Sequence, residues 1–482
     1  MLTRLKVSGF KNLVDTDVRF GPFTCIAGAN GVGKSNLFDA IQFLSALADK
    51  PLVEAAQSVR AGEGRPGDTD SLFHRVGDEI ADTMSFEAEV IVPREGVSDL
   101  GQKVEASANL LRYKITIARS GDRARPLELV SEDLISIPSD SIEEALLFPY
   151  SAAWRQSLIV QWGSEIRFIS ARAGTQDQIG SIKLYDGQKN VAVEHPVERL
   201  ERSVLSTIGG VQANATALLA KREMQSWKLL QLEPLALREP DDFGSPKSLG
   251  VGGAHLPATL YRLATSRRRG PNGTPTMSPE QVYGQVALRL SELTKDVREV
   301  WVEADEKHNI LTVMAKGRNG APHPARALSD GTLRFLALAV LELDPQAQGL
   351  LCLEEPENGL HPDRISAMLR LLQDIAVDTS ESVEFENPLR QVIVNTHSPG
   401  IVAQVPDDSL LIAETRELLR DGKSLRGVSF KALSNTWRSR AGAPSVARGD
   451  VLAYLSPFVV DEFGQEERRV VDREDFRRLL SL

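Results

Sequence analysis

The chain has 482 residues and a formal net charge of −10, with 42% hydrophobic and 25% charged residues. This length allows two or three domains with a large core, and the composition is that of a globular protein. The acidic balance argues mildly against a large nonspecific DNA footprint, because proteins that wrap DNA are usually basic. No apolar run reaches the ~18 residues that a membrane helix needs, and residues 1–10 lack the apolar core of a signal peptide. We therefore expect a cytoplasmic protein without a membrane partner.

A phosphate-binding loop is predicted at residues 28–35, which read GANGVGKS and match the spacing G-x-x-x-x-G-K-S. A short β-prone run precedes it at 23–27, and apolar residues with helical spacing follow it. Glycines let the backbone N–H groups close around a β-phosphate, Lys34 reaches the β- and γ-oxygens, and the Ser35 hydroxyl can hold Mg²⁺. The residues that we expect to bind the nucleotide here are Gly28, Asn30, Gly31, Gly33, Lys34, Ser35 and Asn36.

The middle of the chain has a less regular pattern. Residues 84–92 and 110–118 are strand-like, whereas 121–300 are mixed and are broken by prolines and by a glycine-rich stretch at 244–253. Heptads do not run through this region, so we expect no long coiled-coil arm. A compact, largely helical lid over 121–300 is the prediction.

A second anion-binding segment is predicted at 327–334, which reads ALSDGTLR and precedes an apolar stretch of helical period. Ser329 or Asp330 can cap this helix, and the exposed N–H groups at its start attract negative charge. A chain with one phosphate loop does not need a second γ-phosphate site for itself. The segment therefore favours a head-to-tail dimer that holds ATP in its interface, whereas taken alone it fits an ordinary capped helix.

A buried strand is predicted at 349–353, and it ends in Glu354 and Glu355. Such a strand delivers its carboxylates to the crevice where open α/β sheets bind ligands. We assign Glu354 to Mg²⁺ and Glu355 to the attacking water. Most P-loop enzymes have aspartate at the first of these places, and two solvated acids at a strand end are the alternative.

A further strand at 392–394 leads into His397, which is followed by Ser-Pro. A lone histidine is more often structural than catalytic. Here it follows a strand, after the phosphate loop and the acidic strand, which favours a place on the catalytic side of the sheet. The two cysteines, Cys25 and Cys352, fall in predicted central strands and indicate core residues of a reducing compartment.

Together these motifs resemble the ABC-type ATPase heads of the SMC, RecF and OLD group, and in particular bacterial AAA-family ATPases with an ALSDGT signature. The resemblance covers residues 1–45 and about 325–405, and it includes the opening LTRLKVSGFKNL with its F-K-N turn. It implies an α/β fold, a P-loop NTPase head that the lid insertion splits in two. It also implies that ATP and Mg²⁺ are bound, that Ser329 and Gly331 contact ATP in trans, and that His397 senses the γ-phosphate. The glutamine loop of such heads could not be located; Gln42 is interpreted as structural.

The predicted domains are 1–120 and 301–415 for the two halves of the head, 121–300 for the lid and 416–482 for a small appendage. OLD relatives carry a metal-dependent TOPRIM nuclease after the head, which needs ~100 residues or more with several metal-binding carboxylates. Fewer residues than such a domain needs follow His397, and the acids at 461–475 lie in a charged, helix-like tail. We therefore expect no TOPRIM domain.

The predicted function is ATP hydrolysis by a dimer that closes around ATP, with Lys34, Glu355 and His397 as the catalytic residues. By resemblance, the partner that responds to ATP binding and hydrolysis is DNA, as in repair, or a separately encoded effector nuclease, as in anti-phage defence. The alternatives are a nuclease in cis and a nucleotide-gated switch without hydrolysis. A transport ATPase is disfavoured by the long gap between Ser35 and Ser329.

Overall fold

The structure is a computed structural model. It describes residues 1–59, 68–98, 100–122, 124–160, 162–174, 179–185, 192–197, 199–209, 214–266, 277–294, 296–318, 320–420, 423–446 and 451. The acidic tail at 461–475 and most of the predicted appendage therefore lie outside the described residues.

The described strands, in chain order, are β1 Leu2–Ser8, β2 Thr16–Arg19, β3 Phe23–Ala27, β4 Arg75–Val76, β5 Glu79–Ile80, β6 Thr83–Ile91, β7 Glu95–Val97, β8 Lys103–Glu105, β9 Leu110–Arg119, β10 Leu127–Ser136, β11 Arg167–Arg172, β12 Gly180–Tyr185, β13 Ala192–Val197, β14 Lys228–Leu230, β15 Asp241–Asp242, β16 Val297–Asp305, β17 Ile310–Gly317, β18 Pro322–Pro324, β19 Gly349–Glu354, β20 Arg390–Thr396, β21 Leu410–Arg420, β22 Lys423–Leu433 and β23 Ser445–Val446. The described α-helices are α1 Lys34–Leu47, α2 Leu52–Ser58, α3 Ile142–Ala145, α4 Ala152–Leu158, α5 Val204–Thr207, α6 Ala215–Gln225, α7 Pro234–Arg238, α8 Leu256–Thr265, α9 Pro279–Leu293, α10 Asp330–Glu342, α11 Ile365–Ile375, α12 Pro399–Val402 and α13 Trp437–Arg440. The strands and helices predicted around the motifs are all present.

The first large sheet is antiparallel and has the strand order β13-β12-β11-β10-β9-β6-β1-β2 among the described residues. Its strands alternate buried residues with more exposed ones, and β9 is an example. The alternation arises because one face of the sheet packs on the core and the other meets solvent. Arg4, Glu87 and Arg112 belong to the ion pairs that cross its outer face.

The second large sheet has the order β14-β19-β20-β3-β21-β22-β23 among the described residues, and the run from β14 to β21 is parallel. All seven residues of β20 are buried, as expected of a parallel strand that is covered on both faces. In β19, Leu350 and Cys352 face the core shared with the antiparallel sheet and α1, whereas Leu351 and Leu353 face the core under α8–α11. The result is an α/β head in layers, which agrees with the predicted fold class.

The range predicted as a largely helical lid is not helical throughout. Strands β10–β13 continue the antiparallel sheet, and β14 forms the described edge of the parallel one. Helices α6–α9 follow in the rest of the range, where α8 and α9 pack into the second core. The prediction missed these strands because turns and prolines interrupt their alternation, and each strand is fixed by pairing with a distant neighbour. The domain boundaries themselves stay a prediction.

The predicted boundary at 415/416 falls inside β21. Strands β21 and β22 pair with each other, and β21 pairs in parallel with β3, so residues 416–420 and 423–433 extend the sheet of the head. No helix among the described residues is long and apolar enough to cross a membrane.

One buried carboxylate lies far from the predicted site, in β10. Glu132 is fully buried, and it accepts hydrogen bonds from the Tyr113 hydroxyl at 3.0 Å and from the amides of Val204 and Leu205 at 2.5 and 2.9 Å. Burial raises the pKa of Glu132 from 4.5 to about 7, although these hydrogen bonds oppose the change.

We predict that Glu132 makes the protein less stable as the pH rises from about 5 to 8. The folded chain holds this proton more tightly than the unfolded chain, so the contribution is complete below the unfolded pKa and is lost through pH 7. The full effect is about 3 kcal/mol of unfolding free energy. Urea unfolding of the wild type and Glu132→Gln at pH 5 and pH 8 measures it. The variant should lose this part of the pH dependence, whereas Glu128→Gln on the same strand should keep it; equal slopes in all three proteins would contradict the assignment.

Candidate functional site

The phosphate loop connects β3 to α1, as predicted. Gly31 and Gly33 have φ angles of +78° and +113°, a region that favours glycine. Gly28 has another reason to be glycine: a Cβ there would lie 2.6 Å from the carbonyl oxygen of Ala413 in β21. The loop therefore keeps its shape only with small residues at these positions, and it ends at the N-terminus of α1, where anions are stabilised.

Lys34 lies within the loop. Its ammonium group donates hydrogen bonds to the carbonyl oxygens of Gly28 at 2.7 Å and Ala29 at 3.0 Å. Burial lowers the pKa of Lys34, while the charges of Glu355 and Glu354 act in the opposite direction. The lysine is thus a positive charge fixed between the loop and the acidic strand.

The F-K-N turn between β1 and β2 braces the loop. The Asn12 side chain donates to the Val32 carbonyl at 3.0 Å and accepts from the Asn36 side chain at 2.8 Å. A Cβ on Gly33 would meet this amide at 2.2 Å, so the two segments are in direct contact. Lys11 pairs with the buried Asp39 of α1 at 2.7 Å. The resemblance included this turn, but the bracing role of Asn12 was not predicted.

Glu354 ends β19 and Glu355 follows it, at the same edge of the sheet as the loop. Glu354 lies opposite Asn395 in the register of β19 and β20, and the Asn395 amide donates to its Oε1 at 3.3 Å. Ala27 lies opposite Thr396 in the register of β3 and β20. Three adjacent parallel strands therefore end at one level, and they present the loop, the acids and His397 there.

Glu355 has the more constrained geometry of the two acids. Its φ angle is +46°, which is uncommon for a residue with a side chain, and its amide donates to the Asn395 carbonyl at 3.0 Å. Its carboxylate accepts from Asn358 at 2.8 Å and lies 2.7 Å from Nδ1 of His397. Burial raises the pKa of Glu355, but the hydrogen bonds from Asn358 and His397 and the charge of Lys34 outweigh it, so the pKa is lowered.

A third carboxylate, that of Glu357, is buried and was not predicted. The Thr396 hydroxyl donates to its Oε1, and its buried Oε2 has no hydrogen-bond partner among the described residues. Burial raises the pKa of Glu357. The sequence signal was the third acid in Glu-Glu-Pro-Glu, whose burial only the tertiary structure reveals.

A cleft of about 680 Å³ joins these parts. Its lining includes Asn30, Gly31, Gly33, Lys34, Ser35, Asn36, Gln231, Glu233, Arg334, Glu354, Glu355, Asn358 and Asn395. Most of the predicted nucleotide-binding residues and both predicted acids therefore share one cavity. Gln231 was missed: it directly follows the short strand β14, which pairs with β19. A short strand before a glutamine was the available signal, but three residues are too few to recognise from sequence.

The predicted signature segment caps α10 outside this lining. Ser329 is the N-cap, since its hydroxyl accepts from the Thr332 amide at 3.3 Å. A Cβ on Gly331 would lie 2.6 Å from the Gly359 carbonyl oxygen, so the helix start packs tightly on the turn after β19. Arg238 pairs with Asp330 at 2.6 Å. Ser329 is thus exposed, whereas Gly331 is buried against the turn after β19, and neither residue lines the cleft.

Among the described residues there is no group of three or more His, Cys, Asp or Glu side chains placed to hold a metal ion. Ser35 and Glu354 nevertheless line the same cleft. A hydroxyl and a carboxylate are ligands that suit Mg²⁺, which keeps several waters and takes further oxygens from phosphates. The residues present therefore fit Mg²⁺ bound together with a nucleotide.

The chain matches a protein-family model over residues 23–148 and 170–403. It also matches two proteins named DNA replication and repair protein RecF over short stretches. The one from Porphyromonas gingivalis is 39% identical over 64 residues, which are 13% of this chain and 18% of that protein. The one from Parabacteroides distasonis is 46% identical over 46 residues, 9% and 13% respectively. The chain thus spans less than a fifth of the length of these relatives.

Among solved structures, the chain is similar to an SmcHead bound to the C-winged helix domain of ScpA, with 16% identity, 90% of this chain and 98% of that chain covered, and a TM-score of 0.44. It is also similar to a Smc head with an extended coiled coil bound to the C-terminal domain of ScpA derived from Pyrococcus furiosus. There the identity is 14%, the coverage 92% and 98%, and the TM-score 0.41.

The strand order, the phosphate loop and the acidic strand end define an α/β P-loop NTPase head. The chain belongs to the family described as "AAA domain, putative AbiEii toxin, Type IV TA system", whose model covers most of its length.

We predict that Asn12→Ala loosens the phosphate loop without unfolding the protein. The variant loses both side-chain hydrogen bonds of Asn12, each worth about 1 kcal/mol. Amide hydrogen exchange at residues 28–36 should become faster. Asn36→Ala removes only one of the two bonds and should cause a smaller increase. Unchanged exchange in Asn12→Ala would show that the turn does not brace the loop.

Proposed function

We propose that this protein binds ATP with Mg²⁺ in the cleft and hydrolyses it. The observation that carries the proposal is the shared lining of the cleft, where the phosphate loop, Ser35 and the two acids Glu354 and Glu355 face one another. The positive end of α1 and the Lys34 ammonium stabilise the negative charge of the phosphates. Hydrolysis also requires a carboxylate near the terminal phosphorus of ATP.

Each residue has a role in this proposal. The loop residues Gly28, Asn30, Gly31, Gly33 and Asn36 would surround the phosphates, with Lys34 on the β- and γ-oxygens. Ser35 and Glu354 would hold Mg²⁺, which neutralises charge on the phosphates when it is bound. Glu355 orients the attacking water and accepts its proton. Its pKa lies below the ordinary value of 4.5, so the carboxylate is ionised at neutral pH, as any exposed glutamate would be.

His397 and Gln231 complete the site. His397 lies 2.7 Å from Glu355 through Nδ1, so it can hold the carboxylate in place and respond to a terminal phosphate. Gln231 lines the cleft at the end of β14. We propose Gln231 as the glutamine that heads of this kind use near the metal.

We further propose that two copies close around ATP. Ser329 and Gly331 lie beside their own cleft and outside its lining, while the start of α10 offers backbone N–H groups to an anion. They would therefore contact ATP bound to a second copy. Binding of ATP closes the dimer and hydrolysis reopens it, so the product of the reaction is a change of conformation.

The partner that responds to this change of conformation is proposed from the comparisons. Two relatives are named DNA replication and repair proteins, and on that basis we propose a cytoplasmic role in DNA maintenance. The family description names a type IV toxin–antitoxin system, which favours a second candidate: anti-phage defence with a separately encoded effector nuclease. A nuclease in cis stays the alternative to both.

Lys34→Ala should abolish ATP binding, because it removes the charge within the loop. Glu355→Gln should bind ATP but hydrolyse it at least 100-fold more slowly, since the amide cannot accept a proton. Equilibrium binding and phosphate release measure the two effects. Glu386→Gln, an exposed acid far from the cleft, should behave as wild type. Wild-type turnover by Glu355→Gln would exclude it as the base.

Ser329→Arg should leave ATP affinity of the single chain nearly unchanged but prevent dimerisation. The bulky cation would occupy the place of the γ-phosphate contact that we propose in trans. Analytical ultracentrifugation of this variant in the Glu355→Gln background, with ATP, measures dimer formation. Ser291→Arg, on the exposed side of α9, is the matched control. Equal dimerisation of both variants would refute the proposed contact.

The ATPase rate with and without linear duplex DNA separates the two roles. A rise of about tenfold with DNA, equal to about 1.4 kcal/mol of barrier, would support DNA maintenance. A measurable rate that DNA does not change would contradict it and favour the protein effector. Glu355→Gln serves as the blank for contaminating ATPases.

A further inference from the structure

Glu357 lies in the turn 355–360 after β19, and its buried carboxylate takes no part in the proposed reaction. The residue is 9% exposed, and its Oε2 has no hydrogen-bond partner among the described residues. Burying such an oxygen costs folding free energy, because the hydrogen bonds that it made to water are not replaced. The stability of the fold therefore does not explain this residue, and its contacts indicate another role.

The Thr396 hydroxyl connects Glu357 to the backbone around His397. Thr396 is the last residue of β20 and is fully buried. Its hydroxyl donates to Oε1 of Glu357 and accepts a hydrogen bond of 2.9 Å from the Ser398 amide. A hydroxyl has one proton and two lone pairs, so the carboxylate that takes the proton also directs a lone pair towards this amide. The residues on both sides of His397 are thus held by one hydroxyl.

His397 needs such support because the protein does not enclose its side chain. The side chains of His397 and Glu355 are 44% and 31% exposed, and Nδ1 lies 2.7 Å from the carboxylate. Exposed side chains lose rotamer freedom when they are held in one geometry, and an exposed ion pair gains little energy to offset this loss. The contact between the two groups therefore depends on where the backbone places residue 397.

We propose that Glu357 and Thr396 are positioning residues, which hold His397 against Glu355 and thereby keep the base oriented for ATP hydrolysis. The inference rests on the proposed function of Glu355. A second connection supports it, since the Glu355 amide donates to the carbonyl oxygen of Asn395 at 3.0 Å. The acidic turn is thus fixed to the end of β20 through the two residues that precede His397.

A purely structural role for Glu357 predicts a different result on substitution. Glu357→Leu replaces a buried carboxyl by an apolar group of similar size, and such changes are often neutral or stabilising. It also removes the acceptor of the Thr396 hydroxyl. We expect this variant to melt at the wild-type temperature or above, but to hydrolyse ATP about tenfold more slowly at an unchanged KM, because a misplaced base slows the chemical step.

Thermal unfolding and steady-state ATPase kinetics of the full chain measure both effects. Glu357→Gln keeps an acceptor oxygen for the Thr396 hydroxyl and should restore the wild-type rate. A lower melting temperature with wild-type turnover in Glu357→Leu would show a structural role alone and overturn the inference.

A second pair of variants tests the hydroxyl itself. Thr396→Val keeps the size of the side chain but loses the hydroxyl, so exchange of the Ser398 amide should become faster and kcat should fall about tenfold. Thr396→Ser keeps the hydroxyl and should match the wild type in both measurements. Unchanged hydrogen exchange in Thr396→Val, or faster exchange with the wild-type kcat, would overturn the inference.

The exchange measurement also separates this inference from the proposed function. A wild-type protein without ATPase activity would refute the proposed function and the catalytic consequence of the positioning. Hydrogen exchange at Ser398 needs no turnover, so it would still decide whether Thr396 holds the backbone at His397.

Discussion

The parallel pairing of β3, β20 and β19 is the constraint on which the site depends. The register aligns Ala27 with Thr396 and Glu354 with Asn395, so the loop, the histidine and the acids emerge from one edge of the sheet. These segments are far apart in the chain, and only the hydrogen bonds of the ladder fix their relative height. A slip by one residue would turn each following side chain to the other face.

The two cores explain why this pairing is stable. The antiparallel sheet and α1 cover one face of the parallel sheet, and α8–α11 cover the other. Residues along β19 therefore alternate between two apolar environments, which accounts for its uninterrupted hydrophobic run. Burial on both faces leaves only the strand ends for polar chemistry, and the acids lie there.

Hydrogen bonds of two arginines connect the segments around the cleft. Arg334 of α10 donates to the carbonyls of Leu232, beside Gln231, and of Asn358, beside the acidic turn. Arg238 contacts Asp330 at the start of the same helix. The segment that follows β14 and the signature segment are thus both held by charged hydrogen bonds.

The sequence by itself determined the local parts of the site. The loop was recognisable because close phosphate contact requires glycines at fixed places, and the acidic strand because its apolar run ends in carboxylates. Only the tertiary structure decided the parts that depend on distant segments: Asn12 against the loop, Gln231 after a three-residue strand, the buried Glu357, and the Ala413 carbonyl against Gly28. Their roles come from neighbours brought together by sheet pairing, and no local spacing encodes those neighbours.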